Sequence, residues 1–302
     1  MTRAEGESWL ATFIQDVLDR LSARGIGDTS AHLRWDRVRA SSKVDEEKAL
    51  CEAAGSLGLD PYQISDEIAS FIEEAEGLFL DREALIEFVS GSIGTDKEKL
   101  LGWVRRMAKT AAGSYRLAEL RDIVADVTTV APTRDGEPAW ALGYRRARSM
   151  RRACELEQNH RFTSFKHLAE RFGAGQSYSL APKVDGINAL RRERPDGVHV
   201  HLRNHGDSAE ARTSHLFAMA RAIGDAACFP ETKIAPINGL QHAYRQSAGR
   251  AFAAEFLAPV DEVMSMQNDK RDIFSIANEF AVSPTLIERQ IENKTRISQA
   301  CI

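Results

Sequence analysis

Through the first 126 residues, apolar side chains recur at three- and four-residue spacing, and no alternating segment competes with them. This confines that half of the chain to packed helices. Trp9, Leu10, Phe13, Ile14, Val17, Leu18 and Leu21 define an amphipathic helix over 7–24. A second is predicted over 45–57, and a third runs to Glu76, with Asp60 as its cap and Pro61 at its first position. Further helices are expected over 81–90, 96–112 and 114–126. Residues 127–137 then combine threonines, Pro132 and an Asp135-Gly136 turn, which places a domain junction near 132. A length of 302 residues suits two domains, 1–132 and 133–302, at roughly 150 residues each.

The second half changes character. Helices over 137–157 and 164–172 are followed by short strand-like runs at 178–181, 186–190 and 198–202, with Pro195-Asp196-Gly197 turning into the last. Helices return at 215–228, 239–258 and 260–266, the last started by Pro259. The fold class is therefore α+β and mostly helical, with a small sheet ahead of the 215–228 helix. The tail over 271–293 has the spacing of a helix, a tight turn at Ala281-Val282-Ser283-Pro284 and a second helix. Its second helix exposes Thr285, Glu288, Arg289, Gln290, Glu292, Asn293 and Lys294, a set mixed in charge where a DNA reader offers Arg, Lys, Asn or Gln to base edges.

A net charge of −4 argues against wholesale nucleic-acid binding. Cys51, Cys154, Cys228 and Cys301 are scattered without a C-x-x-C pair, as in a reduced, cytoplasmic protein. No run of 18 apolar residues occurs, so neither a membrane segment nor a secretory signal is expected. Charge is segregated: residues 41–90 carry thirteen acidic against three basic side chains, whereas the 137–157 helix carries Arg145, Arg146, Arg148, Arg151 and Arg152. That cluster is a basic-patch candidate for phosphate, acidic protein or nucleic acid, or else a solvated face. P-loop, G-x-S-x-G and dinucleotide fingerprints are missing.

Two blocks carry more information. Phe217-Ala218-Met219-Ala220-Arg221-Ala222-Ile223-Gly224-Asp225 has the apolar frame of a zinc-peptidase active-site helix, and Gly249-Arg250-Ala251-Phe252-Ala253-Ala254-Glu255-Phe256-Leu257-Ala258-Pro259 follows it. Together, and in this order, they resemble the ImmA/IrrE family of zinc metallopeptidases, whose F-A-x-A-H-E-x-G-H is followed some 25 residues later by E-A-N-x-F-A-A-x-L-L-x-P. The resemblance spans roughly 137–295. In such a helix two His four residues apart bind zinc and the intervening Glu is general base. Carried over, the two ligand positions are Arg221 and Asp225, and the general-base position is Ala222. The third, acidic ligand belongs just before the F-A-A segment, where Gln246, Ser247 and Ala248 stand.

The resemblance thus implies a zincin-like domain without catalytic residues, metal or cofactor. Arg221 and Asp225, four apart, can pair across the vacated place at ~0.2–0.5 kcal/mol if exposed, and more is at stake if buried. An ion pair or hydrogen-bonded network is expected there. Arg221, Asp225, Phe252 and Glu255 are the cleft and partner-binding candidates. The implied role is a pseudo-peptidase that grips a protein or peptide in regulation, a toxin–antitoxin pair or phage defence, since active members cut regulatory proteins. Two alternatives stand beside it. One is a peptidase with a rearranged metal site using His199, His201 and His205, a trio more often found on a solvated strand face. The other is a DNA-binding regulator resting on the tail and the arginine cluster.

Overall fold

The computed structural model describes residues 3–175 and 179–300, with side chains described between 5 and 294 of these. Fourteen helices and four strands occur among them: α1 Arg3–Ser22, α2 Ser30–Ser41, α3 Asp45–Ser56, α4 Asp66–Glu76, α5 Arg82–Gly91, α6 Lys97–Lys109, β1 Tyr115–Leu117, α7 Leu120–Val130, α8 Ala139–Ala153, α9 Phe165–Glu170, β2 Ala189–Arg194, β3 Gly197–Leu202, α10 Ala209–Cys228, β4 Ile234–Ile237, α11 Tyr244–Leu257, α12 Val260–Asn268, α13 Ile273–Phe280 and α14 Pro284–Ala300. The chain is mostly helical with one small antiparallel sheet, an α+β arrangement. No helix among the described residues is long and apolar enough to cross a membrane. Cys51, Cys154 and Cys228 are free thiols, and Cys301 lies outside the described residues.

Two compact units form, 1–72 with 134–136, and 73–133 with 137–302. The division falls inside α4 rather than at 132. Helices α5 to α7 therefore belong with the sheet, because β1 pairs with β3 and α7 packs on α8 and α10. In the first unit the Trp35 indole donates to Gln15 Oε1 (2.9 Å), joining α2 to α1. Helix α2 was not anticipated from spacing; Thr29 caps it through the His32 N–H. The third helix starts at Asp66 rather than Pro61, since Asp60 spends its carboxylate on the Tyr62 N–H in a turn (3.1 Å).

In the second unit the sheet order is β1-β3-β2-β4. Strand β1 lies where a helix over 114–126 was expected. Gly113, at φ 74°, turns the chain, Tyr115 and Leu117 enter the core with Arg116 outside, and helical spacing begins only at Leu120. Pro195 and Asp196 form the two-residue loop of the β2–β3 hairpin. The strand expected over 186–190 begins later, at Ala189, because Gly186 has φ 89° and lies so close to Gly91 that an added Cβ would sit 2.7 Å from its carbonyl oxygen. Of the run at 178–181, Tyr178 lies outside the described residues, and Ala181 makes an isolated parallel bridge to Arg203. Strand β4, with a central proline, carried no strand signal.

Behind the sheet, α8, α10 and α11 pack with their backbones close. A Cβ on Gly224 would meet the Phe252 side chain at 2.6–2.8 Å, and one on Gly143 would meet the Phe252 backbone nitrogen at 2.8 Å. Ser208 caps α10 through the Ala211 N–H (3.1 Å). Helix α11 starts at Tyr244 rather than 239, since Asn238 Oδ1 accepts from the Leu240 N–H and holds a turn. In the tail, Ala281 takes the left-handed conformation between α13 and α14. Gln290, read from the sequence as exposed, is buried and donates to the Ala258 carbonyl (2.7 Å). The tail's second helix therefore packs inward.

Candidate functional site

The carboxylate of Asp225, in the last turns of α10, is surrounded by apolar neighbours in sequence and is buried. A charge placed there demands partners. Its oxygens receive one guanidinium each: Arg191 Nε donates to Oδ2 (2.6 Å) and Arg245 Nη2 to Oδ1 (2.8 Å). Arg191, from the inner strand β2, also donates to the Thr232 carbonyl (2.9 Å). Arg245, from α11, also donates to Thr232 Oγ1 (2.6 Å) and lies over the Phe229 ring at 4.8 Å. Burial opposes the Asp225 charge, but the two guanidiniums prevail and hold its carboxyl below the usual range.

Arg221 does not pair with Asp225, contrary to the expectation from their spacing. The two arginines from β2 and α11 have taken both carboxylate oxygens, and Arg221 Nη2 donates instead to Gln246 Oε1 and to the Asn238 carbonyl, each at 2.6 Å. Burial pushes its guanidinium pKa down, and Arg250 adds to this, while Asp225 and Glu87 work the other way. A buried cation bonded to neutral oxygens thus stands on the face of α10 that meets α11.

Gln246 joins that cation to the sheet. Its Nε2 donates to the Pro236 carbonyl (2.8 Å) and its Oε1 accepts from the Asn238 N–H (3.1 Å). These are the two bonds that the backbone of a neighbouring strand would make with the edge strand β4. Helix α5 closes the arrangement: Asn238 Nδ2 donates to the Glu87 carbonyl (2.8 Å), Gln246 Nε2 donates to Glu87 Oε2 (2.7 Å), and Asp81, the α5 cap, reaches Arg245 at 3.4 Å. Burial pushes Glu87 up to about 7, against the pull of the Gln246 hydrogen bond and of Arg245. Glu87, Arg191, Thr232, Asn238 and Arg245 escaped sequence reasoning. The one available signal was an aspartate in the apolar stretch 222–227, which calls for a buried counter-charge without saying where it comes from.

The other sequence candidates lie elsewhere. Phe252 is fully buried in the main core, stacked on Phe256 (5.3 Å between centroids). Glu255 is buried too, accepting from Arg148 Nε (2.7 Å) and from the Val260 N–H (3.1 Å). Neither faces a cleft. The arginines of α8 form no continuous basic face. Arg146 and Arg151 are buried, and Arg151 donates to the Phe256 carbonyl (2.8 Å). Arg145 pairs with Glu137 and the exposed Arg148 with Glu255, and Arg152 is exposed as well.

The strand histidines are not on a solvated face. Residues of β3 are buried on both sides, and His199 bonds Ser114 Oγ (2.8 Å) and Asp196 Oδ1 (3.0 Å). Both ring nitrogens of His201 are buried, with only the backbone of Thr110 and Gly113 to meet them among the described residues. His205 donates its backbone N–H to His215 Nε2 (3.0 Å). Among the described residues no group of three His, Cys, Asp or Glu is arranged to hold a metal ion.

A catalytic zinc ion does not fit these residues. The two histidine positions hold a guanidinium bonded to Gln246 and a carboxylate with both oxygens bound by arginines, and the stretch where the third ligand would fall holds Gln246, Ser247 and Ala248, none of them a carboxylate. Ala222 supplies no base. Compared with known proteins, the chain matches no family model, no curated protein and no solved structure.

Proposed function

We propose that this protein is a degenerate relative of the ImmA/IrrE metallopeptidases that binds a protein or peptide partner without cutting it, in a regulatory setting such as stress response, a toxin–antitoxin pair or phage defence. On this reading the second unit is the zincin-like domain, and the helical segment before it is an accessory. One observation carries the proposal. Arg221 and Asp225, which the resemblance places at the two histidine ligands, and Gln246, one of the three residues 246–248 among which the third ligand would fall, come from two different helices and lie in one buried set of polar contacts. Proximity of these positions supports descent from a metal site. Their present chemistry is cationic, clamped and neutral in turn, which serves cohesion rather than Lewis-acid catalysis.

Metal analysis of the purified protein tests this directly. Zinc is expected well below one equivalent after equilibration with the ion and desalting. Stoichiometric zinc, lost on replacing Asp225, would overturn the proposal. Incubation with candidate regulatory proteins is expected to yield complexes without cleavage products.

A further inference from the structure

One helical turn along the groove from Arg221 and Gln246, the facing positions on α10 and α11 are Phe217 and Arg250. A pocket of about 300 Å³ opens there, bounded also by α8 and α14. Its walls are apolar, with Trp140, Phe217, Ala251, Ala254 and Leu286. Its two charged residues, Arg250 and Arg289, are both cationic, and no carboxylate lines it. Arg250 is fixed by neutral groups alone, the Leu240 carbonyl, the Gln241 carbonyl (2.6 Å) and Ser247 Oγ (2.9 Å). Arg289 is exposed on α14 and close enough to Arg250 for the two charges to repel.

Two like charges beside an apolar pocket are an unfavourable arrangement that a bound anion relieves. The polar lining suits a peptide backbone as well: Thr213, Ser214 and Thr285 offer hydroxyls, and Asn293, held by Tyr144 Oη (3.1 Å), offers an amide. A volume at the lower end of those that ligand pockets span admits one side chain and a terminal group rather than a segment running through. We propose that this pocket binds the free C-terminus of a polypeptide whose last residue is apolar, with the side chain against Trp140, Phe217 and Leu286 and the carboxylate between Arg250 and Arg289. The site does not depend on how the neighbouring polar network is interpreted.

Fluorescence anisotropy on the full chain decides it, with fluorescein-labelled Gly-Ser-Gly-Ala-Leu as the free acid, the same peptide amidated, and an amidated peptide with Glu in place of its Ala. The free acid is expected to bind saturably, and both amidated peptides about tenfold or more weakly. Arg289→Glu, at an exposed position, is expected to weaken the free acid about tenfold or more. Ser214→Trp, which fills the mouth from an exposed position, is expected to abolish binding while leaving the circular dichroism spectrum and Tm unchanged. Equal binding of acid and amide, or no binding of the acid at about 1 mM, overturns the proposal. So does tight binding of the Glu-containing amide, which would assign the pocket to an acidic side chain, or displacement of the peptide by equimolar inorganic phosphate, which would make it a general anion site. Stoichiometric zinc would defeat the degenerate-peptidase reading and leave each of these outcomes unaffected.

Discussion

Replacing Asp225 by Asn preserves shape and removes the one charge that both Arg191 and Arg245 contact through their hydrogen bonds. Removing one partner from a buried ionic cluster costs about 3–5 kcal/mol, because the remaining charges are left uncompensated. Asp225→Asn is therefore expected to lose about that much in urea denaturation, and a loss below about 1 kcal/mol would show that the arginines find other anions. The sequence disclosed the acid and concealed its partners. Arg191 stands in the run Arg191-Arg192-Glu193-Arg194, which has the composition of a solvated strand end, yet its strand is an inner one and α10 covers it. Arg245 lies before the block that carries the resemblance, where nothing in the spacing singles it out.

At the scale of elements, α10 and α11 owe their closeness to a missing side chain. Alanine normally favours a helix over glycine by about 1 kcal/mol. At position 224 the new methyl would stand 2.6–2.8 Å from the Phe252 ring and Cβ, buried atoms with no room to withdraw. Overpacking of this kind costs about 1–3 kcal/mol, so Gly224→Ala is expected to be neutral to destabilising by up to about 2 kcal/mol. A gain in stability by chemical denaturation would refute the close approach. Helices were legible where cap and apolar spacing agree, as at Asp81 and Asp96, whereas α10 begins at Ala209, capped by Ser208, ahead of the 215 expected from spacing. Short elements were not. Three residues at β1 and four at β4 acquire strand geometry from pairing with β3 and β2, a tertiary cause that local sequence does not contain.

For the whole molecule, two buried groups set opposing trends with pH. Glu87 titrates at about 7 in the folded chain, above its ordinary 4.5, so its contribution to stability is complete below about 4.5 and lost as pH rises through 7. His201 is pushed down to about 4, first by burial and then by Arg192, so its contribution is complete above 6.5 and lost as pH falls through 4. Each amounts to about 3 kcal/mol by linkage. Urea denaturation between pH 4 and 8 is expected to show Glu87→Gln losing the decline toward neutral pH, and His201→Leu losing the decline toward acid. Unchanged profiles would mean that neither group is buried as described. Beyond protons, the clasp that Gln246 makes on β4 bears on edge pairing. A chain approaching that rim in extended form finds the Pro236 carbonyl and Asn238 N–H already engaged, and a proline nitrogen with nothing to donate. Growth of the sheet by templating is opposed there by a glutamine acting as a one-residue surrogate strand, with helix α5 packed on the same rim, so at that margin fibril-like propagation is hindered without recourse to a fence of charge.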